Sequence, residues 1–158
     1  MPVQTWAKEY RFEPIYRIEH AIEDDNEVVP MDATYYAMDN VPFYQVPGNC
    51  DRYRCPPFAR EILSLPAGGV RLYMTHGHIH KVKQTPGLLL RDARESGAAA
   101  ALYGHTHVAD CHREEDGLWV LNPGSCGSWS GSVGLIEICD EKIIACRILR
   151  QADLEEML

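Results

Sequence analysis

From Val41 onward the chain is a series of short apolar runs cut by turn residues, and two of these runs end in clustered histidines. "VRLYM" leads into "MTHGHIH" (Met74 to His80), and "AAAALYG" leads into "YGHTH" (Tyr103 to His107). Runs of this length and composition suit strands bounded by turns. Strands that each end in polar, chemistry-bearing residues call for a sheet that gathers those ends at one edge. "EILSLPAGGVRLYMTH" reads as a hairpin around Pro66-Ala67-Gly68-Gly69. "TPGLLLRDARESG" reads as a helix from about Gly87, closed by Gly97. Alanine propensity alone makes "AAAALYG" ambiguous. A helix restarting after Gly97 and stopping at Gly104 would be very short, so a buried strand beneath a close-packed helix is the preferred reading.

The other runs extend the pattern. "VPFYQV" (Val41 to Val46) is a β-rich run ending at Pro47-Gly48. "GLWVLNPGS", "SVGLIEICD" and "KIIACRIL" read as three strands, the last two joined by a turn at Asp140-Glu141, and "QADLEEML" as a short helix. Upstream, Ile15, Ile18 and Ile22 mark an amphipathic helix. "EVVPMD" reads as a short strand that Pro30 restricts to an edge or a strand end, and "MPVQTWAKE" has no clear period. Strands mixed with helices predict a layered sandwich, and 158 residues suit a single domain, residues 1–158.

Composition narrows the partners. The formal net charge is -8, which argues against nucleic acid and against anionic lipid. No apolar run approaches the roughly 18 residues of a membrane span, and the start lacks the apolar segment of a signal peptide. The 6 cysteines form no C-x-x-C pair, so they are expected to be reduced thiols in a cytoplasm rather than a zinc ribbon.

Five of the 7 histidines sit in the two short strings. Residues i and i+2 of an extended segment share a face, so His105 and His107 are expected to face one site from a strand end. His76, with His78 and His80, ends another strand in the same manner. "PGNCD" (Pro47 to Asp51) ends a third, where Asn49 can offer its carbonyl oxygen to a metal. Asn49, His76 and the pair His105/His107 are thus predicted to converge at one edge of a sheet, where open α/β sheets keep their sites. A lone histidine is usually a surface or satisfied-core residue; two clusters of the form H-G-H and G-H-T-H point to metal binding.

"PGNCD", "MTHGH", "YGHTH" and "LNPGS", in that order and spacing, resemble the calcineurin-like metallophosphoesterases, and among them the small bacterial and archaeal phosphodiesterase branch. The resemblance covers about 32–149. It implies an α/β fold, a two-sheet α/β/β/α sandwich, with a dinuclear centre at the strand ends. In the family the metals, often manganese, are bridged by a hydroxide that attacks phosphorus in line. By the match, Asn49, His76 and His105 would bind one metal and His107 the other. Around the substrate the match implies Asn49, Cys50, Asp51 and His78. Cys50 stands where the family often has a histidine that assists the leaving group. A thiol is a poor general acid and carries no positive charge, which fits a diester better than a monoester. Asp51 would orient groups around Cys50 or the substrate, or else be a solvated turn aspartate. His78 would touch a phosphate oxygen. His80 and His112 are expected at the surface. "LNPGSCG" (Leu121 to Gly127) is expected to pack under the site, and "DCH" (Asp110 to His112) to lie in a hairpin, not to form a ligand pair.

The N-terminal segment, 1–31, departs from the family: the expected D-x-H and G-D motifs are missing. Asn49, His76, His105 and His107 are neutral ligands, and nothing in that set offsets the charge of two divalent ions. Such a set favours a single zinc, nickel or cobalt ion over manganese. Asp24, Asp25 and Asp32 are weak substitutes. Three accounts of the segment stand open: an altered 5′ end of the gene, a natural variant that abandoned catalysis, and a homo-oligomer or exchanged segment that completes the sheet. Two functions follow. One is a metal-dependent phosphodiesterase acting on a small phosphodiester. The other is a non-catalytic interaction module on the same fold, as in the small retromer subunit of eukaryotes, a scaffold similar to this family.

Overall fold

The structure is a computed structural model that describes residues 44, 46–51, 60–125 and 131–156. The expected N-terminal helix and strand, and Asp24, Asp25 and Asp32, lie outside the described residues. Of the run Val41 to Val46 only Tyr44 and Val46 are described, and neither is in a strand.

Two adjacent glycines set the first hairpin. Gly68 and Gly69 have φ of 56° and 87° and join β1 (Ile62–Ala67) to β2 (Val70–Thr75). Left-handed backbone at both central positions is the turn that matches the twist of paired strands. The turn is therefore shorter than the sequence suggests: Pro66 and Ala67 belong to β1. The proline is tolerated because β1 is the edge strand among the described residues, and its missing N–H costs the sheet nothing on that side.

After β2 the chain turns into α1 (Gly87–Glu95), which buries Leu89, Leu90 and Ala93. Gly97 closes the helix with φ of 72°, donating its N–H to Arg94 O at 2.9 Å, while Ala98 N–H reaches Ala93 O at 3.0 Å. The alanine run then forms β3 (Ala100–Leu102), parallel to β2. Its side chains alternate between layers. Ala101 packs under α1 with Tyr73, Leu89 and Val120, and Ala100 and Leu102 face the opposite side with Leu72, Met74 and Leu121. Small side chains let the helix lie close, which is why alanine serves as a strand here. β4 (Asp110–Arg113) and β5 (Trp119–Asn122) form an antiparallel hairpin, and β5 runs parallel to β3. The sheet order is β1-β2-β3-β5-β4.

A second sheet pairs β6 (Ser132–Cys139) with β7 (Lys142–Arg150). Their turn, Asp140-Glu141, takes left-handed φ of 46° and 60° without a glycine. Ile136 of β6 joins the inter-sheet core, with Ile138, Ile143, Cys146 and Ile148 packed against it. Gly134 lies where the two sheets approach: a Cβ there would stand 2.7 Å from Leu121 Cδ2, closer than carbon atoms can lie. α2 (Gln151–Glu156) follows β7, with Arg150 N–H donating to Asp153 Oδ2 at 2.7 Å. Among the described residues the layers are helix, five-stranded sheet and two-stranded sheet, in line with the expected α/β sandwich. No helix among the described residues is long and apolar enough to cross a membrane.

Candidate metal centre

Three parallel strands, β2, β3 and β5, end at one edge of the large sheet. Each is followed by polar residues, and their ends are laced together. Gly104 N–H donates to His76 O at 2.9 Å, and Tyr103 N–H to Leu121 O at 3.0 Å. His76 is fully buried just past β2. The "PGNCD" turn sits on its ring: a Cβ on Gly48 would lie 3.2 Å from His76 Nε2 and 3.1 Å from Asp51 Oδ2. Asp51 N–H closes the turn on Gly48 O at 3.1 Å, and the Asp51 carboxylate in turn accepts the Gly48 N–H.

Three imidazoles gather at this edge. His76 Nδ1 and His78 Nδ1 are 3.0 Å apart and share a hydrogen bond. The ring centroids of His76 and His78 are 5.1 Å apart, those of His76 and His105 4.9 Å, and those of His78 and His105 6.2 Å. Asn49 and Cys50 occupy the exposed top of the turn, with Asn49 Nδ2 3.5 Å from Cys50 Sγ. His107 is exposed.

Several expectations need correction. "GHTH" is not extended: His105 and His107 take left-handed φ of 70° and 59°. The alternation argument for their facing one site therefore fails, because the i, i+2 rule holds only for extended backbone. His105 joins the ring cluster through the shape of the loop instead. Asp51 is not a solvated turn residue; its exposure is 0%. His80 is not at the surface either. It is 3% exposed, with Nε2 3.0 Å from Tyr73 Oη and 3.2 Å from Asp92 Oδ2. It thus ties the "HGHIH" loop to β2 and α1. His112 is exposed, as expected, and pairs with Asp110 and Glu114 on its own hairpin.

Two residues bear on the site beyond the expected set. Glu61 brings a carboxylate to the cluster, with Oε1 3.4 Å from His78 Nε2. The signal lay in the hairpin register. Ile62 pairs with Thr75, so one further step sets Glu61 across from His76. Asn122, within the expected supporting loop, is fully buried and holds "GHTH" from below. Its amide donates to Gly104 O at 3.2 Å and Thr106 Oγ1 at 2.9 Å, and its oxygen accepts Gly124 N–H at 3.0 Å. Ser132 Oγ then donates to Pro123 O at 2.7 Å, which anchors this loop to the second sheet.

A family model, the calcineurin-like phosphoesterase superfamily domain, matches residues 21–141. The chain belongs to that superfamily. The match starts within the segment that the motifs alone set apart. Metallophosphoesterase YsnB of Bacillus subtilis (strain 168), itself described as probable, is 39% identical over 84 residues, 53% of this chain and 47% of that protein. This chain therefore matches only about half the length of that relative. Among solved structures, a conserved uncharacterized protein of Streptococcus pneumoniae TIGR4, described as a predicted phosphoesterase, is similar at a TM-score of 0.61. It is 21% identical, covering 89% of this chain and 92% of that one. A novel archaeal phosphodiesterase gives a TM-score of 0.57 at 18% identity, covering 87% of this chain and 92% of that one. Vps29 of Entamoeba histolytica in complex with zinc gives 0.54 at 21% identity, covering 75% and 71%. At these identities the structures establish the shared fold.

The superfamily implies divalent metal ions. In donor type the edge suits one: imidazole nitrogens, an amide oxygen, and the carboxylate of Asp51 behind His76. In arrangement it does not yet form a ligand set. Among the described residues no three His, Cys, Asp or Glu side chains are placed to hold a metal ion.

Proposed function

We propose that the chain is a metal-dependent phosphoesterase acting on small phosphodiesters. The observation that carries this is the gathering of His76, His78 and His105 where parallel strands end, in a chain of the calcineurin-like superfamily. Similarity to an archaeal phosphodiesterase supports the diester reading. The ligands in this reading are Asn49, His76, His105 and His107. The ion is manganese by family habit, or zinc, nickel or cobalt by the donor set. A divalent ion at this edge supplies Lewis acidity to the phosphoryl group.

The chain's own residues would do the rest. His78 has Nδ1 on His76 and Nε2 3.4 Å from Glu61 Oε1, so it would reach a phosphate oxygen by exchanging the longer Glu61 contact. Asp51 fixes the turn that carries Asn49 and Cys50 through the Gly48 N–H. Cys50 supplies a thiol at the rim, with no cationic form, which suits a diester whose single negative charge needs less help.

A second reading, a non-catalytic interaction module, draws on one observation: the described donors form no ligand group. Vps29 of Entamoeba histolytica, similar in fold, has been solved with zinc. Metal binding alone therefore does not separate the two readings. Turnover does. The test is hydrolysis of bis(p-nitrophenyl) phosphate with added manganese or zinc, run beside metal analysis of the purified chain. Turnover that disappears in His105→Ala is expected. Bound metal without turnover favours the interaction module, and metal content unchanged in His105→Ala overturns the ligand assignment.

A further inference from the structure

The six cysteines look unrelated in sequence, yet two of them meet in the fold. Cys111 lies on β4, at the edge of the large sheet, and Cys146 lies on β7 of the small sheet. Their Sγ atoms are 3.3 Å apart, although the residues are 35 positions apart in the chain. Both are partly buried and both pack against the inter-sheet core. The register places each in a regular strand: Cys111 opposite Leu121, and Cys146 opposite Ile136. Neighbouring backbone is thus fixed on both sides, and no loop has to rearrange to bring the sulfurs together. Cys50 and Cys139, by contrast, are exposed.

We infer that Cys111 and Cys146 form a disulfide site that covalently staples the two sheets when the chain meets a thiol oxidant of the glutathione-disulfide class. The balance is simple. One protein thiolate attacks a sulfur of oxidised glutathione and releases one reduced glutathione. The second protein thiolate then attacks the mixed disulfide and releases the other. The protein loses two protons and two electrons, and one glutathione disulfide is reduced to two thiols. The link would close a loop containing β5 and β6, and the constraint on the unfolded chain grows with loop length. It would tie the strand that follows "GHTH" to the opposite layer.

Burial raises both thiols above the ordinary cysteine range, and Asp110 adds to the effect on Cys111. The attacking thiolate is therefore scarce, and closure is slow, so the end point is the proper readout. This inference is independent of phosphoesterase activity.

The test incubates the full reduced chain with oxidised glutathione to completion. Thiols are then blocked, and the chain is digested and mapped by mass spectrometry without reductant. The expected result is a Cys111–Cys146 cross-linked peptide and a melting midpoint raised by roughly 5–10 °C, reversed by reductant. Cys111→Ala is expected to show no such rise. Mixed disulfides with glutathione and no Cys111–Cys146 peptide would overturn the inference, as would a link made only between other cysteines. Because the mapping uses the unsubstituted chain, it decides the matter even if Cys111→Ala folds poorly.

Discussion

Two loops close the same edge of the large sheet, and both carry histidines, yet they are held in opposite ways. The first, from His76 to Thr85, is braced by its own sequence. His80 turns inward and bonds Tyr73 and Asp92, and His80 N–H returns to Gly77 O at 3.1 Å. The second, from Gly104 to His107, places both histidines on left-handed backbone and is held from outside by Asn122 of β5. Non-glycine residues at positive φ cost free energy and persist when the surroundings over-determine them. The comparison teaches that similar motifs need not share a support. "HGHIH" contains its own anchor, whereas "GHTH" borrows one from 16 to 18 residues downstream.

The strongest way to break this comparison is Asn122→Ala. The change removes three side-chain hydrogen bonds, although Gly104 O keeps the Thr106 N–H, and should cost about 2–4 kcal/mol in urea unfolding. A loss under about 1 kcal/mol would mean that "GHTH" holds its own shape. Next is His80→Ala, which removes a buried ring and two side-chain bonds. It should cost about 1–3 kcal/mol and speed amide exchange at residues 77–82, with His80→Gln recovering part of both. Faster exchange at residues 104–107 instead would show that the two loops share one support after all. The smallest effect is a control in a histidine outside both loops. Burial lowers the His112 pKa, but bonds to Asp110 and Glu114 outweigh that and leave it raised. A raised folded-state pKa means stability present below the unfolded value of about 6.5 and lost as pH rises through the folded value. His112→Gln should therefore lower the melting midpoint by roughly 1–2 °C at pH 5.5 and leave it unchanged at pH 8.5.

The sequence made the first hairpin, α1, the alanine strand and the C-terminal strands legible because each has a local signal. Turn residues bound the strands, and Gly97 closes the helix. The gathering of His76 with His105 was legible too, since parallel strands that share an edge bring their ends together. What failed was the detail set by side-chain contacts between elements. His80 looked like a surface histidine because its partners, Tyr73 and Asp92, lie on other elements. The left-handed turns of His105 and His107 follow from the supporting loop, not from local preference, so the alternation rule misled. Asp51 is a loop aspartate by sequence and a buried one in the fold, because Gly48 leaves no side chain between it and the His76 ring. Glu61 was accessible in principle: shortening the first turn to two residues would have aligned it with His76.

Gly134 ties these matters together. It admits Leu121 so closely that the gap between the sheets is fixed at that point, and Asn122 is the very next residue. The residue that sets this approach and the residue that holds "GHTH" are thus neighbours on one strand. A methyl group added at Gly134 would work as a shim against the Leu121 side chain, which must then shift. The inter-sheet gap beside Asn122 thus has room for a hydrogen atom at Gly134 and for no more.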